Sequence, residues 1–138
     1  MGYMTPGLII TPLKRVEAAQ GAVLHALKAS APGYAGFGEA YFSQVHEGAT
    51  KNWRRHRETT LNLVVPLGNV RFVAHDGTAF EEHVIGAMNY ARLTVPPGVW
   101  LAFQGRGPGT STILSIIERE HDPAESDARD LDAFAYHW

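Results

Sequence analysis

From Gly38 onward the chain is a regular series of short extended segments, and few folds can accommodate that pattern. Residues 39–46, 61–66, 70–75, 80–85, 90–95, 99–104 and 112–120 are rich in β-branched and aromatic side chains. Turn residues interrupt them: Leu67-Gly68-Asn69, Asp76-Gly77, Pro96-Pro97-Gly98 and the loop Gly105-Arg-Gly-Pro-Gly109. Evenly spaced short strands of this kind predict an all-β sandwich or barrel. The Leu67-Gly68-Asn69 turn between two apolar runs predicts a β-hairpin joining 61–66 to 70–75. Ahead of the series, Gly7 to Ile10 closed by Thr-Pro suits an edge strand. Residues 17–28 carry helix formers with an apolar repeat near 3.6 and predict a helix, which Gly21 weakens. Residues 30–38 are rich in Gly, Pro and Ala and read as a loop. At the far end, Asp122-Pro123-Ala124-Glu125 offers a cap, a first-turn proline and an acid, and so predicts a short helical turn before the tail.

The totals narrow the functional classes. The 138 residues suit a single domain, 1–138, with a core that needs no staples. A net charge of −2 argues against a nucleic-acid partner, which selects a broad basic excess. The absence of cysteine excludes disulfides and thiolate metal sites and makes a cytoplasmic setting the expectation. No apolar run approaches the roughly 18–20 residues that cross a bilayer, so no membrane partner is expected. The opening Met-Gly-Tyr-Met stays outside the fold argument.

Charge is concentrated in one place. Residues 51–58 read Lys-Asn-Trp-Arg-Arg-His-Arg-Glu and hold four of the twelve Lys and Arg. With period two, Asn52, Arg54, His56 and Glu58 share one face and Trp53, Arg55 and Arg57 the other. Neither face is apolar, as expected of a strand lining a wet cavity or an interface; an exposed edge strand with scattered charges is the alternative. Guanidinium groups grip phosphate bidentately, so an anion such as a diphosphate fits the first case. A metal does not fit: Arg54 stands where a His-x-His pair would begin, and His46, His75 and His83 are scattered. His121 precedes Asp122-Pro123 at the end of the last strand, where it either overhangs a barrel mouth or faces water. Asp130 and Asp132 could orient a histidine if the tail folds back.

Several segments together resemble the short members of the dTDP-4-dehydrorhamnose 3,5-epimerase group of dTDP-sugar epimerases, within the cupin superfamily. They are Gly7-Leu-Ile-Ile-Thr-Pro-Leu-Lys-Arg15, Gly36-Phe-Gly-Glu-Ala-Tyr-Phe-Ser43, Thr59-Thr-Leu-Asn62, Val95-Pro-Pro-Gly-Val-Trp100, His121-Asp-Pro123, Leu131-Asp-Ala-Phe134 and Tyr136-His-Trp138. The resemblance implies a cupin double-stranded β-helix (jelly-roll) barrel, a homodimer, no metal and no cofactor. It overrules the helix over 17–28, since in relatives the region around Gly21 to Lys28 is a turn and a strand. It implies an isomerase that moves protons beside the ketone of a nucleotide-linked 4-keto-6-deoxyhexose, with substrate-binding positions at Lys51, Arg54, Arg57, Asn62 and Tyr41. Its tail aspartate, which supports the base, matches Asp132.

The family's basic histidine falls on Arg54, and its tyrosine acid beside the last strand has no counterpart. Arginine stays protonated and cannot be the base. His56 lies on the same face but about 6.6 Å further along, and a displacement of only ~1 Å can cost about a hundredfold. His56 therefore suits a shifted substrate pose or a different carbon, with His121 the other candidate proton carrier. A non-catalytic cupin that clamps a nucleotide sugar with Arg54 is the alternative.

Overall fold

A computed structural model describes residues 7–138; residues 1–6 lie outside it. The described chain has strands β1 (Ile9–Pro12), β2 (Arg15–Val16), β3 (Val23–Leu24), β4 (Glu39–Val45), β5 (Thr50–His56) and β6 (Leu61–Leu67). They continue as β7 (Asn69–His75), β8 (Phe80–Gly86), β9 (Ala91–Val95), β10 (Trp100–Gly105), β11 (Ser111–Ile117) and β12 (Ser126–Arg129). Two five-stranded antiparallel sheets face each other, ordered β1-β9-β6-β11-β4 and β12-β5-β10-β7-β8. From β4 to β12 successive strands alternate between the sheets, except for the β7–β8 hairpin. This is the jelly-roll winding of a cupin, with short 3-10 turns at Pro123–Glu125 and Leu131–Ala133. No helix among the described residues is long and apolar enough to cross a membrane.

Two local expectations give way to this topology. The Gly68 turn is no hairpin, because β6 and β7 belong to different sheets and the chain crosses the sandwich there. Gly68 has φ +85, and an added Cβ would lie 2.1 Å from the Ser111 hydroxyl. The crossing is anchored by Asn69, whose amide N–H bonds to Ser111 Oγ and whose Nδ2 bonds to the Gly107 carbonyl. Residues 17–28 hold no helix. They form the turn and short strand of the β2–β3 ribbon, with Gly21 at φ +139 and its N–H on the Ala18 carbonyl. A left-handed-side φ at Gly21 is incompatible with a continuous helix, and tertiary context overrides propensity here.

The core lies between the sheets. Leu63, Val65, Val70, Phe72, Ile85, Leu93, Ile113 and Ile117 are almost completely buried there. Each such side chain contributes about 1.5–3 kcal/mol on burial. Packing does not close the space beside β4 and β5, whose inward side chains include Tyr41, Ser43, Lys51, Arg54 and His56. Polar groups cannot fill a dry core, and a cavity remains.

The outer face of β5 corrects a third expectation, that neither face of this strand is apolar. Trp53 is wholly buried in a cluster with Val73, Trp100 and Ala102, roofed by Leu131, Phe134, Tyr136 and Trp138 of the tail. Trp53 Nε1 donates to the Leu131 carbonyl at 3.2 Å, and Phe134 meets the indole edge-on at 5.2 Å. Nor is β5 an edge, since it lies between β12 and β10.

Candidate active site

The cavity between the sheets measures about 500 Å³ and runs the length of β5. A second recess of about 360 Å³ adjoins it and shares Tyr41, Arg54 and His56 with it. The recess also takes Glu39, His121 and Ser126.

Strict alternation would send Lys51 to the opposite face from Arg54. The strand avoids this with a bulge: Arg54 pairs with Leu101 and Lys51 with Phe103, so one extra residue of β5 is accommodated against β10. Both cations therefore reach the cavity while Trp53 stays outside. The Lys51 ammonium lies 6.0 Å from the Phe103 ring centre.

The four cations of this stretch divide cleanly. Arg55 donates to Asp127 Oδ2 through Nε and Nη2 at 3.2 and 2.7 Å, and Arg57 Nη1 donates to Asp127 Oδ1 at 2.7 Å. The Arg55 guanidinium, foremost, with that of Arg57, holds the Asp127 carboxyl below its ordinary range. Arg55 also lies 4.6 Å over the Trp100 ring. Lys51 and Arg54 have no carboxylate partner among the described residues. Two cations are thus spent outside the barrel on one aspartate, and two stay uncompensated inside.

His56 has a different partner. Its Nδ1 lies 3.1 Å from Glu125 Oε1. Glu125 also accepts from the Glu58 N–H at 2.7 Å, the Thr59 N–H at 3.0 Å and the Thr59 hydroxyl at 3.2 Å. Burial pushes the Glu125 carboxyl up, but the Glu58 amide, the His56 ring and the Thr59 amide together outweigh it, and the pKa falls to about 2. An ionised carboxylate can only accept, so His56 Nδ1 carries a proton and the lone pair of the neutral ring sits on Nε2. The result is a histidine–carboxylate dyad on the cavity wall, fit for a general base.

Local sequence explains how Glu125 arrives there. Asp122 Oδ1 accepts the Ala124 N–H at 3.0 Å and Pro123 starts the 3-10 turn, so Glu125 closes the turn as β12 pairs with β5. The Glu125 carbonyl accepts the Arg57 N–H at 2.9 Å. The capping pattern marks this turn in sequence. Nothing local shows that its acid meets His56.

Other expected positions are placed as follows. Tyr41 lines the cavity from the facing sheet. His121 reaches only the recess, its backbone N–H held by Glu39 Oε1 at 2.8 Å. Arg57 is turned to Asp127 and does not line the cavity. Asn62 is buried on the far face of β6, because Leu61 and Leu63 take the cavity side. Its Nδ2 donates to the Gly33 carbonyl at 3.0 Å and its Oδ1 accepts the Thr94 hydroxyl at 2.6 Å, so it fastens the 30–36 loop. Asp132 is exposed in the second 3-10 turn, on the aromatic-cluster side, and does not support His56; Glu125 does. Among the described residues no three His, Cys, Asp or Glu side chains converge on a metal position.

Comparison with known proteins follows the same line. No protein-family model matches the chain, and no curated protein matches it. Solved structures do. A dTDP sugar isomerase from Desulfovibrio desulfuricans is 31% identical, with a TM-score of 0.88, over 92% of this chain and 86% of that one. A dTDP-4-dehydrorhamnose 3,5-epimerase from Sulfolobus tokodaii is 18% identical, with a TM-score of 0.80, over 98% and 84%. A sugar 3,4-ketoisomerase from Thermoanaerobacterium thermosaccharolyticum, in complex with TDP, is 15% identical, with a TM-score of 0.76, over 91% and 89%. The latter two likenesses carry the fold.

Proposed function

The chain belongs to the dTDP-sugar isomerase/epimerase family, and from that premise we propose that it is an isomerase acting on a dTDP-4-keto-6-deoxyhexose. His56 Nε2 takes a proton from a carbon beside the ketone, and the electron pair of the broken C–H bond moves to form an enolate. Glu125 holds the ring in the required tautomer and stabilises the imidazolium. Lys51 and Arg54 meet the enolate oxygen and the diphosphate, a role open to them because neither is ion-paired to a carboxylate among the described residues. Delivery of a proton to the opposite face of that carbon, with the enolate electrons restoring the ketone, completes the isomerisation. One observation carries this reading: His56, held from behind by Glu125, lines the same cavity as the two cations Lys51 and Arg54.

The test is proton exchange. Incubated with dTDP-4-keto-6-deoxyglucose in deuterated water, the protein incorporates deuterium beside the ketone, and His56→Asn abolishes incorporation. Tight dTDP binding without incorporation would instead identify a non-catalytic cupin that uses Arg54 as a clamp. A homodimer is proposed on the open edge of β4, beside which Phe37 and Phe42 are 66% and 68% exposed; sedimentation that finds only monomer refutes it. A cytoplasmic setting is proposed from the cysteine-free composition.

A further inference from the structure

The carboxylate that orients His56 stands at the start of a lightly held strand. β12 has four residues, lies at the edge of its sheet and pairs only with β5. Its ion pairs, Asp127 with Arg55 and Arg57, are partly exposed, and such pairs add little to stability. The Glu58 and Thr59 amides hold the Glu125 carboxylate only once β12 has brought it to β5. So short an edge strand needs further packing, and the residues after it supply that packing.

From Phe134 the tail alternates. Phe134, Tyr136 and Trp138 turn towards the sheet, while Ala135 and His137 are exposed. Tyr136 packs on Phe80, and its hydroxyl meets Glu82. Phe134 is central: its ring centre lies 5.2 Å from that of Trp53, 5.6 Å from that of Trp100 and 4.5 Å from that of His75. Trp53 is the neighbour of Arg54 on β5 but faces the opposite way, and Arg129 of β12 pairs with it. At the other end of the same register Ser126 pairs with His56 and lines the recess beside the cavity. The seat of Phe134 and the dyad are thus joined through the four residue pairs of β12 and β5.

We infer that Phe134 is a positioning residue for the isomerisation: seated on Trp53, Trp100 and His75 outside the barrel, it holds β12 on β5 and so keeps Glu125 against His56. The inference rests on His56 as the base. Phe134 itself lines neither the cavity nor the recess. It acts through geometry, because misplacing a reacting group by only ~1 Å can cost about a hundredfold. With the seat empty the tail lifts, and His56 loses the acceptor that fixes its proton on Nδ1.

The full-length Phe134→Ala variant is compared with the parent in two measurements. One is deuterium exchange into dTDP-4-keto-6-deoxyglucose in deuterated water. The other is nitrogen NMR of the His56 ring, which reports which nitrogen carries the proton. The variant's kcat should fall by about tenfold or more with KM within about twofold of the parent, and its ring should pass from a fixed Nδ1–H to a mixture of tautomers. In a Glu125→Ala background the same substitution should change kcat by less than about twofold, since the two residues act in series. Phe134→Leu, which refills the seat with an apolar side chain, should bring kcat back to within about threefold of the parent. If Phe134→Ala does not fold, Trp138→Ala at the rim of the cluster carries the same cycle. An unchanged kcat, or a loss just as large without Glu125, overturns the inference. A parent that exchanges nothing fails at His56 as the base; the ring signals then decide on Phe134 by themselves, and an unaltered tautomer in the variant overturns its role.

Discussion

Replacing Glu125 by Gln removes a charge while keeping the side-chain shape, and the structure sets the size of the effect. The carboxyl is lowered from 4.5 to about 2 by its amide donors and His56, against the cost of burial. At about 1.36 kcal/mol per pH unit this corresponds to about 2–3 kcal/mol of folding stability after discounting for a side chain 10% exposed. The sign follows from the depression. The group binds protons less readily in the folded state, so its contribution is fully present above pH 4.5 and disappears as pH falls towards 2. Urea titrations at pH 7 and at pH 2.5 should therefore show a parent-minus-variant difference of about 2–3 kcal/mol at the higher pH and little at the lower. Catalysis should fall as well, because Gln can still accept from Nδ1–H but cannot stabilise the imidazolium; a loss of about a hundredfold or more in kcat is expected. A stability difference that does not change with pH would refute the ionised dyad, and an unchanged kcat would refute its role.

Three further outcomes follow from the placement of individual side chains. Arg54→Met removes an uncompensated cavity cation and should lower kcat/KM by about a hundredfold, measured by proton exchange, with weaker dTDP binding by calorimetry. Arg57→Ala and Asp132→Ala should leave exchange rates within about twofold of the parent, since neither side chain lines the cavity. Asn62→Leu should cost about 1–3 kcal/mol in urea denaturation by leaving the Gly33 carbonyl and Thr94 hydroxyl without their partner, while KM stays near the parent value.

Much of the site was legible because it depends on nearest neighbours along the chain. Alternation alone puts Arg54 and His56 on one face and Trp53 and Arg55 on the other, and the structure keeps that division. The Asp122-Pro123 signal did mark a 3-10 turn. Lys51 escaped alternation because a bulge depends on how β5 fits against β10, which no property of residues 51–54 reveals. Asn62 resembled a binding residue only by its place in a matched segment; the same alternation that sends Leu61 and Leu63 inward sends it outward.

The sequence by itself determined the all-β character, the short strand lengths and the concentration of charge on one strand, all consequences of side-chain shape and period. Tertiary structure decided which strands are neighbours, and with them the chemistry. Gly68 became a crossing between sheets once Ser111 and Gly107 received Asn69. The anchoring of Trp53 beneath the tail, the loss of Arg55 and Arg57 to Asp127, and the supply of Glu125 to His56 across 69 residues all came with the packing of the C-terminal segment on β5. A backbone pattern encodes the two faces of a strand, but an ion pair or a dyad needs two side chains within about 3 Å, and only the folded chain brings distant residues that close.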